Sequence, residues 1–443
     1  MNRGPRRIAI IVAEHSLWHW VLTVEAALLL KSEGAIVQIF DFDKDQFNLP
    51  FRHNAEFSDL FLQVDRLCRD NNVKIIKKKP KFSLISPIVH LDENGFFSRQ
   101  IMNQSVIFPT LVDSLKKWNI SIYSLKNLTR IYKELHSAKQ VQKQFASLNF
   151  NEIDEIFTIN GRYTRNRMIR LLGESEDIPV HILEFGANEN KLEIYERSAQ
   201  SLLEFQEKCR SAWNNADATT REEVARNYLN RRLKTGAHSE TPWTRNMETG
   251  SLPGLNFSKK IAVFYSSSQI EFAGSEDMFP DGDFQDQDAA LNEILQILTP
   301  DKWQVILRKH PFADSNDQWL DKEDQFSKSV LHKHLHIIPG SSGVDSYELA
   351  RRADIVFTFG SYIGGEITYA GYAPVLNLCT TTWSTFDPEH HISNPEDLKD
   401  ILRLPVKKTP PDCMLPWGYY LATGGYDFKY FRYKDSQWVY QPT

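Results

Sequence analysis

Cysteine is scarce in this sequence, and its placement argues against two kinds of protein. Four cysteines occur in 443 residues, at Cys68, Cys209, Cys379 and Cys413, and no two of them form a CxxC pair. That spacing matches neither a zinc site nor a disulfide framework. The simpler interpretation is a reducing compartment, so we expect a cytoplasmic protein.

Long apolar runs and an excess of basic residues are also missing. The runs 8–13 and 21–30 are too short for a signal-peptide core and for the roughly 20 residues that a spanning helix needs. We therefore expect no transmembrane segment, while peripheral contact with the inner face of a membrane stays open. A net charge of −5 and a pI near 6.2 argue against a nucleic-acid binder. Any anionic ligand must then be held by a local cluster.

A strand–helix–strand pattern opens the chain. Residues 7–12 have the pattern of a strand, a helical stretch runs to about Ser32, and residues 35–40 have the pattern of a second strand. This order predicts a doubly wound parallel sheet, to which residues 153–159 and 180–183 would add strands. The region 191–233 is charged and is predicted to be helical.

The second half alternates strands and helices five times and predicts a second sheet of the same kind. The predicted fold class is therefore α/β, with two Rossmann-like doubly wound parallel-sheet domains facing a cleft. The sequence-based domain assignment is an N-terminal domain over 1–240, a linker rich in Gly, Ser and Pro over 241–256, and a C-terminal domain over 257–405. The aromatic tail, 406–443, is expected to pack back toward the N-terminal domain.

Unusual loops follow four strands of the second half. Ligands of an open parallel sheet bind at the carboxyl ends of its strands, and hydroxyls, basic side chains and a glycine-rich helix start suit a phosphate there. A solvated basic loop and plain helix caps are the alternative for each loop taken alone. The candidate donor-binding residues are Ser266, Ser267, Ser268, Arg308, Lys309, His310, Ser341, Ser342, Gly360, Ser361 and Glu366.

These same stretches resemble capsular polysaccharide biosynthesis proteins. The similarity lies in 264–272, 307–311, 345–349, 353–366 and 370–375, and it is weaker at 160–162 and 184–186. That family is similar to the two-domain GT-B-type glycosyltransferases, including Kdo- and sialyltransferase-like enzymes. The resemblance implies a nucleotide-sugar donor in the C-terminal domain and an acceptor on the N-terminal side.

Residue by residue, the resemblance implies that His310 and Ser361 contact the donor phosphate and that Glu366 contacts the ribose. Tyr362 stands where relatives often have threonine, and its ring could narrow the pocket.

The first half supplies candidates for the acceptor and for the base. Asn160, Arg162 and Glu184 follow predicted strands and could grip a sugar, although Arg162 and Glu184 could equally pair with each other. For the catalytic base we favour Glu14 over His15, both in the loop after the first strand. A helix cap or a surface loop is the alternative there.

No metal or other cofactor is expected. Basic side chains and a helix N-terminus can hold a diphosphate without a metal, and we interpret Asp281-Gly282-Asp283 as a solvated loop. The predicted function is a metal-independent glycosyltransferase that uses a nucleotide-sugar donor and a glycan or lipid-linked glycan acceptor. The alternatives are a sugar-nucleotide epimerase, a polyol-phosphate transferase, or a non-catalytic nucleotide-sugar-binding subunit of a polysaccharide assembly complex.

Overall fold

The structure is a computed structural model in which the chain forms two compact units. It describes residues 4–13, 16–42, 55–78, 128–162, 164–186, 190–196, 201–236, 242–267, 284, 286–311, 326, 332, 334–434 and 437–441. Of these, the first unit holds the residues up to Ser201 and those from Gly425 onward, and the second unit holds Leu202 to Gly424.

Strands and helices alternate along most of the described chain. The strands are β1 Arg7–Val12, β2 Ile36–Phe42, β3 Lys74–Lys78, β4 Glu155–Ile159, β5 Val180–Phe185, β6 Lys191–Tyr195, β7 Lys260–Tyr265, β8 Trp303–Arg308, β9 Leu335–Ile338, β10 Ile355–Thr358, β11 Val375–Asn377, β12 Tyr426–Asp427, β13 Phe431–Lys434 and β14 Gln437–Tyr440. The helices are α1 Leu17–Ser32, α2 Ala55–Asp70, α3 Leu128–Phe145, α4 Thr164–Ser175, α5 Leu202–Asn215, α6 Arg221–Arg232, α7 Pro242–Arg245, α8 Gln287–Ile297, α9 Ser346–Arg352, α10 Tyr362–Ala370, α11 Pro395–Leu402 and α12 Leu415–Thr423.

The first unit is built on a sheet of order β12-β6-β5-β4-β1-β2-β3. The five strands from β5 to β3 are parallel, and Ile10 in the middle of β1 is opposite Ile39 of β2 and Phe157 of β4. These side chains are buried in one apolar core with the inner face of α1, as expected for a parallel sheet covered by helices. The prediction of a doubly wound parallel sheet is confirmed.

The helical prediction for the start of the region 191–233 was wrong. Residues 191–195 form β6, which pairs antiparallel with β5 and with β12. The charged residues in this stretch alternate with apolar ones, and pairing on both sides satisfies the backbone, so a strand forms where composition favoured a helix.

The second unit is built on a five-stranded parallel sheet of order β11-β10-β7-β8-β9. Its central strand β7 is buried along five of six residues, and Phe264 and Phe357 lie in the core. Connections run from β7 toward β8 on one side and from β10 toward β11 on the other. The order therefore reverses between β7 and β10, and such a switch point is where open α/β sheets bind ligands.

The division of the chain differs from the predicted boundary at 241–256. The backbone N–H of Gly250 donates to Asp345 Oδ2 at 2.9 Å, and that of Glu248 donates to the Gly343 carbonyl at 2.7 Å. Helix α6 packs closely on α12, since a Cβ at Gly418 would lie 2.5 Å from Leu229 Cδ1. The Gly- and Pro-rich stretch resembles a linker in composition, but its backbone is bonded to the loop before α9, so it belongs to the second unit together with α5 and α6.

The aromatic tail is divided between the two units. Helix α12 belongs to the second unit, whereas β12 extends the first sheet and β13 and β14 form a hairpin that packs on the core of the first unit. Glu25 of α1 anchors this hairpin, because its buried carboxylate accepts the backbone N–H groups of Lys429, Tyr430 and Phe431 at 2.7–2.9 Å.

Candidate functional site

The carboxyl edge of the second sheet brings four of the predicted loops together. Ser266 and Ser267 follow β7, Lys309 and His310 follow β8, residues 340–342 follow β9, and residues 360–361 follow β10. Because β10, β7, β8 and β9 are consecutive neighbours in the sheet, these loops share one edge. Ser268 lies outside the described residues.

Ser266 and His310 tie the loops after β7 and β8 together. The backbone N–H of His310 donates to Ser266 Oγ at 2.9 Å, and the Ser266 N–H donates to the Arg308 carbonyl at 3.1 Å. Burial, with the nearby Arg308 cation, lowers the pKa of the His310 imidazole to about 4. The ring is therefore neutral near pH 7, where it can donate one hydrogen bond and accept another. It would meet a phosphate as a hydrogen-bond donor, without a positive charge of its own.

The peptide of Ser267 is held by a residue that sequence reasoning did not select. Gln287, the first residue of α8, accepts the Ser267 N–H at 2.8 Å and donates to the Ser267 carbonyl at 2.9 Å. This two-point contact fixes the loop after β7. Its only sequence signal is a polar residue at a helix start, which is too common to single out.

Arg308, predicted to contact the donor, is bonded inside the protein in this structure. Its guanidinium is buried, with Nε 3.3 Å from Ser346 Oγ and Nη2 3.1 Å from the Ser342 carbonyl, and Nη1 donates to the Pro339 carbonyl. The planar fork satisfies carbonyls that would otherwise point into the loop. Arg308 therefore holds the loop after β9 in place.

The loop after β9 approaches the backbone of His310 closely. A Cβ at Gly340 would lie 2.3 Å from the His310 carbonyl oxygen, so only glycine fits there. Ser342 Oγ accepts the Val344 N–H at 3.3 Å, while Ser341 is exposed at the same edge. Ser342 thus stabilises its own turn, and Ser341 is the more accessible of the two hydroxyls.

The turn after β10 begins a helix whose N-terminal cap makes no side-chain bond. Gly360 has a left-handed backbone (φ +80°), and Ser361, the N-cap of α10, makes no capping hydrogen bond with its side chain. The first N–H groups of an α-helix lack a partner in the preceding turn, and the helix dipole favours an anion at that end. In α10 the third of them, from Gly364, donates to the Ser361 carbonyl at 3.3 Å.

Gly364 and Gly365, by contrast, serve packing: a Cβ at Gly364 would lie 2.4 Å from Trp383 Cζ2. The exposed Tyr362 ring meets Trp417 edge-on, with ring centroids 5.7 Å apart.

Glu366, predicted to contact the ribose, is bonded inside the protein in this structure. Its carboxylate is only 2% exposed, with Oε1 paired to Arg232 Nε at 2.8 Å and Oε2 accepting the Tyr347 hydroxyl at 2.6 Å. Each oxygen has a strong internal partner, so Glu366 joins α6, α9 and α10. Burial, with the adjacent Glu366 carboxylate, raises the pKa of Tyr347 well above its ordinary value, which keeps the phenol protonated as the donor.

The first unit has a polar cluster at the carboxyl edge of its own sheet. Asn160 and Gly161 both adopt left-handed backbone angles after β4, at φ +61° and +65°. The side-chain amide of Asn160 donates to Glu184 Oε2 at 2.8 Å, and its Oδ1 accepts the Arg162 N–H at 3.3 Å. The structure thus brings Asn160, Arg162 and Glu184 together, and the turn between them uses the two residue types that adopt left-handed backbone angles most readily.

A second arginine, which sequence reasoning missed, fixes the neighbouring strand ends. Arg165 Nε donates to the Ala13 carbonyl after β1 at 2.6 Å, and Nη2 donates to the Phe42 carbonyl at the end of β2 at 3.1 Å. Glu14 and His15, the candidate bases, follow Ala13 directly but lie outside the described residues.

Within the described ranges, no group of three or more His, Cys, Asp or Glu residues could hold a metal ion. The Asp281-Gly282-Asp283 stretch is not among those residues. His332 contacts Asn292 Oδ1 at 2.9 Å and the ring of His334 edge-on. No helix in the part of the chain that the structure covers is both long and apolar enough to span a bilayer.

Comparison with known proteins gives structural similarities only. No protein-family model and no curated protein matches this sequence. Among solved structures, the chain is similar to the KpsC β-Kdo 2,4-transferase of Thermosulfurimonas dismutans, at 10% identity and a TM-score of 0.41 over 61% of this chain and 81% of that one.

Two further similarities extend over almost the whole chain. A UDP-GlcNAc 2-epimerase of Neisseria meningitidis bound to UDP-GlcNAc has 11% identity and a TM-score of 0.30 over 94% of each chain. A glycosyltransferase of Rickettsia africae has 12% identity and a TM-score of 0.29 over 96% of this chain and 95% of that one. The fold assignment itself rests on the strand order and register of the two sheets.

Proposed function

We propose that this protein is a glycosyltransferase that moves a sugar from a nucleotide-sugar donor to a hydroxyl of a glycan acceptor, such as a surface polysaccharide. The observation that carries the proposal is the set of anion-binding groups at the switch point of the second sheet. The open N-terminus of α10, Ser361, and the linked Ser266 and His310 all lie at the ends of three adjacent strands. A donor phosphate group is the ligand that this combination fits.

The donor groups act on the charge that develops during transfer. The bond between the sugar carbon and the phosphate oxygen breaks, which leaves negative charge on the departing nucleotide. Amides at the start of α10, the hydroxyl of Ser361, the neutral imidazole of His310 and the Lys309 ammonium can stabilise that charge without a metal. Arg308 and Gln287 act indirectly, by fixing the loops that carry these groups.

The acceptor is assigned to the first unit. Asn160, Arg162 and Glu184 form a hydrogen-bonded polar cluster suited to sugar hydroxyls. A base must take the proton of the attacking hydroxyl as the new bond to the sugar carbon forms. Glu14 is our choice and His15 the alternative, because both follow β1 in the sequence, and β1 and its neighbour β4 form the switch point of the first sheet.

Ligand-dependent melting tests the donor assignment. CMP, CDP, UDP and GDP are added to the wild type, to His310→Ala and to His336→Ala, an exposed histidine of the same sheet that serves as the control. One nucleotide at about 100 times its Kd should stabilise the wild type and the control by roughly 2.7 kcal/mol, and His310→Ala should lose most of this gain. If no nucleotide raises the melting temperature of the wild type, the proposal is wrong.

Turnover then distinguishes the classes of enzyme. The nucleotide sugars that carry the base found above are incubated with and without a glycan acceptor, and the products are identified by NMR. Acceptor-dependent release of nucleotide supports a transferase. Conversion of the sugar without any acceptor would instead identify an epimerase, and tight binding without turnover on a broad acceptor panel would favour a non-catalytic subunit.

A further inference from the structure

Trp383 lies beneath the turn that begins α10. It belongs to the loop that follows β11, the strand next to β10, and its side chain is fully buried. Its indole N–H donates to the backbone carbonyl of Ser361 at 3.1 Å. This bond reaches the residue that caps the helix at the candidate phosphate site.

The first turn of α10 rests on the same indole. A Cβ at Gly365 would lie 3.0 Å from Trp383 Cγ and 3.1 Å from Trp417 Cζ3, and a Cβ at Gly364 would lie within 2.4 Å of Trp383 Cζ2. Gly364 is thus needed for the helix to approach Trp383, and Gly365 leaves little room for a side chain beside either tryptophan.

The loop that carries Trp383 is itself firmly held. Thr381 Oγ1 accepts the backbone N–H groups of Trp383 at 3.3 Å and Ser384 at 3.1 Å. The Gln206 side chain of α5 donates to the Thr381 carbonyl at 2.8 Å. Because these contacts fix the indole, the indole can in turn fix Ser361.

The consequence follows from the geometry of the peptide bond. In a planar trans peptide the C=O and the next N–H point in opposite directions. The Ser361 carbonyl accepts the Trp383 indole N–H at 3.1 Å and the Gly364 backbone N–H at 3.3 Å. These two bonds together aim the N–H of Tyr362 away from Trp383, out of the helix end. That N–H is one of the donors that an α-helix leaves without an internal partner.

We propose that Trp383 is a positioning residue of the donor site: it sets the direction of the Tyr362 N–H so that this amide is preoriented toward a phosphate oxygen of the nucleotide. This inference rests on the proposed function. A donor oriented before the ligand arrives costs no reorganisation when charge develops on the phosphate. Losing the indole N–H should weaken phosphate binding even where the fold is intact.

Trp383→Phe tests the inference, since it keeps an aromatic ring and removes the N–H. Trp303→Phe, at the amino end of β8 and thus at the opposite edge of the same sheet, is the matched control. The Kd of the nucleotide that binds the wild type is measured by calorimetry for all three proteins. We expect a three- to tenfold weaker Kd for Trp383→Phe, as for the loss of one oriented hydrogen bond, and no change for Trp303→Phe.

A readout that does not need the nucleotide separates this inference from the proposed function. Hydrogen exchange of peptides that cover residues 360–364 should be faster in Trp383→Phe than in the wild type, and unchanged in Trp303→Phe. If the wild type binds no nucleotide, the proposed function fails, and with it the phosphate role of Trp383, while exchange still shows whether Trp383 fixes the turn. If the wild type binds and Trp383→Phe keeps its affinity, the inference is wrong.

Gly364→Ala perturbs the same contact from the side of the helix. Its methyl group would collide with the indole Cζ2, so Gly364→Ala alone should weaken nucleotide binding. The smaller phenylalanine ring relieves the collision with the indole, although the methyl group would still lie 2.9 Å from Thr358 Oγ1. The double variant should therefore recover part of the loss and bind better than the product of the two single losses predicts. Independent effects of the two substitutions would contradict the proposed contact.

Discussion

Replacing Glu25 with alanine should strongly destabilise the first unit. The buried carboxylate accepts three backbone N–H groups, from Lys429, Tyr430 and Phe431, at 2.7–2.9 Å. The bond from Phe431 is buried and those from Lys429 and Tyr430 are partly buried. A buried donor left without an acceptor costs about 1–3 kcal/mol, and a partly buried one costs less. Burying the charged carboxylate also costs free energy, which the substitution recovers. The net loss in the free energy of unfolding should therefore be roughly 3–5 kcal/mol.

Urea denaturation followed by tryptophan fluorescence measures this loss, with the two units fitted as separate transitions where the data require it. Glu33→Ala is the control, because Glu33 lies at the end of the same helix and makes an exposed pair with Arg6 at 3.3 Å. Such a surface pair contributes about 0–1 kcal/mol. The loss in the free energy of unfolding for Glu25→Gln should fall between those for Glu25→Ala and Glu33→Ala. One acceptor oxygen remains in the amide, while its NH₂ group faces one of the backbone N–H donors.

The tail could instead detach locally, in which case limited proteolysis would cut Glu25→Ala near residues 425–434 before the unit unfolds. Either outcome agrees with the anchoring role. If the free energy of unfolding of Glu25→Ala stays within about 0.5 kcal/mol of the wild-type value and the tail stays resistant to protease, the carboxylate does not anchor the hairpin.

Two further predictions concern the second unit. Arg308→Lys should lower the free energy of unfolding by about 2–3 kcal/mol and weaken nucleotide binding, because an ammonium cannot replace the guanidinium that holds the loop after β9. Arg403→Lys, at an exposed residue, is the control and should change neither quantity. Chemical denaturation and calorimetry measure the two quantities, and equal values for the two variants would show that the guanidinium is dispensable. Because the pKa of His310 is lowered to about 4, its contribution to the free energy of unfolding should fall as the pH drops from about 6.5 to about 4, where only the unfolded imidazole is protonated. The free energy of unfolding of the wild type and of His310→Ala is measured across this range and should depend less steeply on pH in the variant. An equal pH dependence of the two proteins would contradict a neutral buried ring.

The strands of the two sheets, and the edge at which polar residues follow them, could be predicted from the sequence. The run Arg7–Val12 and the run Lys260–Tyr265 are apolar and short, and each is followed by polar residues and a helical stretch, so both were identified as strands of parallel sheets. Since ligands meet such sheets at the carboxyl ends, Ser266, His310 and Ser361 could be named as one edge before any contact was known.

The roles of individual residues at that edge could not be predicted in the same way. Arg308 and Glu366 carry charges that suit a nucleotide sugar, and nothing within a few residues of either distinguishes a ligand contact from an internal one. Glu366 pairs with Arg232, 134 residues earlier in the chain, and Arg308 meets carbonyls more than 30 residues later. Charge alone does not indicate which of these partners the fold will bring near.

The unit boundary shows the same limit for composition. Gly, Ser and Pro are typical of loops and linkers, and the composition of 241–256 therefore predicts a linker. In the structure Glu248 and Gly250 donate their N–H groups to the loop before α9. A backbone group has no residue-specific signature, so its partner is invisible in the sequence.

By itself, the sequence determined the alternation of strands and helices, the parallel sheets and the polar residues at their carboxyl ends, because periodicity and turn chemistry act over a few residues. Only the tertiary structure decided that Arg308 and Glu366 are internal supports, that Gly364 and Gly365 make room for Trp383 and Trp417, and that α5 and α6 belong to the second unit. Those outcomes depend on close packing between segments far apart in the chain, where a single methyl group decides whether two elements can meet.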